Sequence, residues 1–73
     1  MKAFADIADL PEDDCIAIIA EASRTQIVGF FVDDDAKADR YIRKLGERVR
    51  VIERKSNVLV NGTVFVKVGP RES

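Results

Sequence analysis

The stretch IVGFFVDDDAKADRYIRKLGERVRVIER, residues 27–54, decides the fold. Its first six residues form a continuous apolar run, rich in β-branched and aromatic side chains, that stops at three aspartates. Such a run predicts a strand over 27–32, buried on both faces. Ala38, Tyr41, Ile42 and Leu45 then recur at i, i+3, i+4 and i+7, the period of an amphipathic helix. Gly46 stands where a left-handed C-cap belongs, so the helix is expected over 35–45. Residues 49–54 return to a β-branched pattern and predict a second strand. A strand, a helix and a strand in this order form a βαβ unit with parallel strands.

Upstream, Pro11 suits the first turn of a helix, and Glu12, Asp13 and Asp14 place negative charge at the positive end of its dipole. Cys15, Ile18, Ile19 and Ala22 supply an apolar stripe, which predicts a helix over 11–23. Before it, Phe4, Ile7 and Leu10 suggest a short helical or irregular lead-in. Downstream, Lys55, Ser56 and Asn57 are expected to turn the chain. Residues 58–60 and 63–68 flank Asn61-Gly62, a type I′ hairpin signal. The expected order is helix, strand, helix, strand, strand, strand. This is a small α/β-type domain of the α+β class: one βαβ unit plus a C-terminal β-hairpin in a mixed sheet, with two helices packed on it.

The chain has 73 residues, room for a single domain, 1–73, with a thin core. A domain this small needs a staple or self-association. With one cysteine and no histidine, neither an internal disulfide nor a Cys/His metal site can form. No apolar run approaches the length of a membrane span, and the acid at Asp6 does not fit a secretion signal. With the lone thiol, this reads as cytoplasmic and not membrane-bound.

The net charge of −1 hides a division. Residues 1–35 hold nine acids against two bases, net −7; residues 36–71 hold ten bases against three acids, net +7. The basic half offers Lys37, Arg40, Lys44, Arg48, Arg50 and Arg54 as a candidate nucleic-acid or partner contact. The plainer account is a solvated helix face with an Asp39–Arg43 pair and bases near the negative end of the dipole. Interleaving of acids and bases across the small sheet is the expectation.

Asp33, Asp34 and Asp35 sit at the carboxyl end of a strand, where ligands of α/β sheets gather, and form a candidate ligand or cation cluster. Capping and dipole compensation explain the same residues. Cys15 reads as a buried, inert thiol, and Tyr41 and Phe65 as core aromatics. No phosphate-binding loop, Ser/His/Asp set or paired glutamates stands out. No cofactor or catalytic residue is assigned, and the chain is not expected to be an enzyme. The expected function is a non-catalytic protein-interaction module that self-associates as a homodimer, through the hairpin edge or the first helix, or binds another protein. A nucleic-acid-binding accessory role is the alternative.

Overall fold

A computed structural model describes residues 3–4, 10–58 and 62–71. The elements are β1 (Ala3–Phe4), α1 (Glu12–Ala22), β2 (Val28–Val32), α2 (Asp35–Leu45), a 3₁₀ turn (Gly46–Arg48), β3 (Val49–Ser56) and β4 (Val64–Pro70). The architecture is a small α+β fold, with two helices and one open sheet in the strand order β1-β2-β4-β3. From α1 onward, helices and strands follow the expected order. No described helix is long and apolar enough to cross a membrane.

Both helices start and stop where local chemistry dictates. Asp34 caps α2, its Oδ1 accepting from the Lys37 backbone N–H at 2.7 Å. Gly46 ends α2 with φ +54° and ψ −131°. Its φ is positive as expected, but its ψ lies outside the left-handed helical well, in a region that essentially only glycine occupies. Pro11 leads α1 and offers its carbonyl to the Cys15 N–H at 3.0 Å.

The βαβ unit is present in split form. β2 and β3 each run antiparallel to β4, so they are parallel to one another with β4 between them. The physical reason lies in the strands themselves. Val64, Val66 and Val68 of β4 are fully buried, and a strand this apolar needs a neighbour on each side. β3 carries Arg50, Glu53, Arg54 and Lys55 and a register shift between Val51 and Glu53, features that suit an outer strand. The C-terminal strand, expected to offer an edge, is therefore central. β3 runs on to Ser56, through the residues expected to turn. Val58 lies in a bend after it, and 59–61 fall outside the described residues, so the short strand expected at 58–60 and the Asn61 half of the hairpin signal are not described. Gly62 has φ +91° and donates its N–H to Asn57 Oδ1 at 2.6 Å; Asn57 itself has φ +58°. β1 falls within the lead-in expected to be helical or irregular and pairs parallel with β2.

Helices and sheet meet in one core. From α1 come Cys15, Ile16, Ile19 and Ala20; from α2, Ala38, Tyr41 and Leu45. The sheet adds Val28, Phe30 and Val32 of β2 with Val64, Val66 and Val68 of β4. Each fully buried side chain of this size stabilises the fold by about 1.5–3 kcal/mol. The stripe of α1 is rotated from the expected one. Ile16 is buried, while Ile18 is 43% exposed. They flank Ile19 on opposite sides of the helical wheel, so the apolar stripe can be extended either way and periodicity alone does not choose between them.

Candidate interaction surface

The helices cover one face of the sheet only. Alternation along β2 and β4 places Val28 opposite Val68, Phe30 opposite Val66 and Val32 opposite Val64 on the covered face. The intervening residues face the other way: Phe31 pairs with Phe65, and Gly29 with Lys67. Their rings meet at 5.1 Å between centroids, tilted by 48°. Phe31 is 43% exposed and Phe65 half-buried, so the expectations of a core Phe65 and of a strand buried on both faces are corrected. Two helices cover one face, and no further helix lies against the second among the described residues.

The bulge in β3 enlarges this open face. Ile52 is the extra residue of the register shift. A Cβ on Gly69 would lie 3.0 Å from Ile52 Cδ1 and 3.3 Å from Ile27 Cγ1, so these isoleucines close over the glycine on the open side. Ile27 is 53% and Ile52 36% exposed. Ile27, Phe31, Ile52 and Phe65 thus share one uncovered sheet face. Exposed apolar side chains gathered on one face mark interaction sites.

The same alternation sets the charges there. Arg50 lies opposite Gly69, Glu53 opposite Lys67 and Lys55 opposite Phe65. Glu53 binds Lys55 Nζ at 3.0 Å and Lys67 Nζ at 3.3 Å, which hold its carboxyl below the usual glutamate range. Arg50 has no ion pair among the described residues. Three bases against one acid make the face positive on a chain whose net charge is −1.

The other bases singled out from the sequence are placed elsewhere and occupied. Arg40 and Lys44 of α2 reach Glu12 and Asp13 at the start of α1, with Arg40 Nε 2.7 Å from Glu12 Oε2 and Lys44 Nζ 3.0 Å from Asp13 Oδ1. These two cations bring the Glu12 carboxyl down from its ordinary 4.5 to about 2. Arg54 turns to the helix face and binds Asp39 at 2.6 Å and Asp35 at 3.1 Å. Asp39 is thereby paired across to β3 and not, as expected, to Arg43. Lys37 reaches Asp33 at 3.7 Å, and Arg48 donates to the carbonyls of Lys44 and Leu45. Of the six bases, only Arg50 belongs to the open face. The acidic and basic halves interleave, as expected.

The three aspartates likewise have separate tasks. Asp33 pairs with Lys37, Asp34 caps α2, and Asp35 binds Arg54 and the Ser56 hydroxyl. Their carboxylates do not converge. Tyr41 and Cys15 lie in the core. Burial first, then the neighbouring Cys15, pushes the Tyr41 hydroxyl up to about 12. A cleft of about 520 Å³ runs past Ala17, Ala20, Glu21, Arg24 and Arg48. Its arginines are held by Glu21 and by the end of α2.

The open face was not legible in advance because it depends on which strand is central and on where Ile52 bulges out. The alternation of Phe31 with Phe30 and Val32 was the one available signal. Comparison with known proteins gave no match among protein families, curated proteins or solved structures.

Proposed function

We propose that the chain is a non-catalytic protein-interaction module of the cytoplasm that self-associates, with the open sheet face as its interface. The carrying observation is the uncovered apolar surface of Ile27, Phe31, Ile52 and Phe65 on a domain with a thin core. Edge-to-edge pairing is disfavoured. A symmetric antiparallel pairing of β3 centred on its bulge at Ile52 sets Arg50 against Arg54 of the second copy, and like charges directly opposite destabilise a sheet. On the helix-one surface the charges of Asp14 and Glu21 flank the exposed Ile18 and interrupt its apolar area.

The size of the face sets the strength. Three strands about 4.8 Å apart and about seven residues long present roughly 350 Å² of sheet, below the ~800 Å² per partner of a stable complex. Association is therefore weak and concentration-dependent. Sedimentation equilibrium should give a mass rising from 8.1 kDa towards twice that value between about 10 µM and 1 mM. Phe31→Asp should stay at the monomer mass with unchanged far-UV circular dichroism. A wild type that stays at 8.1 kDa throughout overturns the proposal.

A further inference from the structure

We infer that the open sheet face also takes single-stranded nucleic acid, with bases stacking on Phe31 and Phe65 and phosphates meeting Arg50, Lys55 and Lys67. This inference goes beyond self-association and does not rest on it. The carrying observation is a juxtaposition. Two aromatic rings lie side by side on the adjacent strands β2 and β4, at 5.1 Å between centroids. Lys55 stands directly across from Phe65 on β3, and Lys67 is two residues along β4 on the same face. Arg50 completes the positive side, opposite Gly69.

Sequence-independent single-strand recognition needs these two components, aromatic side chains on which bases stack and cations along the backbone path. Charge decides between partners. The face carries an excess of positive charge on a chain of net charge −1, so an anionic ligand is attracted here and repelled from Asp13 and Asp14 at the exposed start of α1. A flat duplex backbone offers no free bases to the rings, so the single strand is the matching form. Helix α2 is the poorer contact: Glu12 and Asp13 together neutralise Arg40 and Lys44, whereas on the open face the single carboxylate of Glu53 is shared between Lys55 and Lys67, and Arg50 has no ion pair among the described residues.

The test is fluorescence anisotropy of a labelled oligothymidylate of about eight nucleotides, titrated with the full chain. Binding should weaken about 20-fold between ~50 and ~200 mM salt, the result of about three phosphate contacts on a single strand. Phe31→Ala and Phe65→Ala should each weaken it at least about fivefold. Arg50→Ala, a change at an exposed residue that leaves the core intact, should weaken it and flatten the salt slope by about one third. Arg43→Ala on α2 should leave it unchanged. No binding at ~50 mM salt overturns the inference. So does loss in Arg43→Ala with none in Arg50→Ala, equal affinity for duplex, or equal affinity for an oligoglutamate of the same charge. A monomeric wild type that binds the strand as described would leave this inference standing and the self-association fallen.

Discussion

Arg40 grips Glu12 with two hydrogen bonds, Nε to Oε2 at 2.7 Å and Nη2 to Oε1 at 2.8 Å, across 28 residues of sequence. Lys44 joins the same carboxylate at 3.0 Å. Together they tie the start of α1 to the outer side of α2, two helices that also meet in the core, where Cys15 neighbours Tyr41. Glu12 keeps a quarter of its side chain exposed, so the clamp is partly screened by solvent.

The clamp predicts an acid-labile contribution to stability. Glu12 is held down at about 2 when folded, against an ordinary value of 4.5, so folding favours its charged form. Its contribution is then complete above the unfolded value and disappears as pH falls from about 4.5 to about 2. Thermal melts of wild type and Glu12→Gln should differ at pH 7 and converge across this window. A difference that persists at pH 2 would assign the effect of Glu12→Gln to something other than ionisation.

Tyr41 provides a test of the core from the alkaline side. It is the one tyrosine, and the chain has no tryptophan, so its phenolate absorbance is read without interference. In the folded chain it should titrate near 12. A raised value means that the folded state prefers the protonated form. Stability is therefore retained below pH 10 and lost as pH rises towards 12. Half-ionisation near pH 10 in a chain that remains folded would contradict the buried position of the ring.

Gly46 should resist substitution. With φ +54° and ψ −131° it occupies backbone space that a Cβ disfavours, although no atom lies within 4 Å of where that Cβ would go. Gly46→Ala should cost about 1–3 kcal/mol through backbone strain alone. Urea denaturation should show the midpoint falling with an unchanged slope. A neutral result would mean that the exit from α2 relaxes to another conformation.

Asp34 separates capping from cation binding. Asp34→Ala removes the acceptor for the Lys37 N–H and should cost about 1 kcal/mol, a fall of about 4–8 °C in Tm. Asp34→Asn keeps an acceptor and should cost only a few tenths. Isothermal calorimetry with Mg²⁺ or Ca²⁺ should show no tight site in either the wild type or the variants. A stoichiometric site lost in Asp34→Asn would replace the capping account.

The sequence by itself determined the local elements. The α2 span, its start among the three aspartates, its Gly46 end and its stripe of Ala38, Tyr41 and Leu45 follow from interactions within about four residues of the chain, which is the range that periodicity and capping report. The same holds for β2 and the extent of α1. Only the tertiary structure decided what lies next to what. That β4 sits between β2 and β3 depends on which strand has most to lose at an edge, a comparison between segments. That Ile16 is buried in place of Ile18 depends on how α1 lands on the sheet. The open sheet face arises from both. Phe31 was read as core because an apolar run looks the same whether one face of its sheet is covered or two. Ile52 reaches the open side through a one-residue register shift, and such a shift reverses the facing of a strand without altering its composition. The interleaving of charge likewise rests on pairs such as Glu12 with Arg40, which only the packing of α1 beside α2 could bring together.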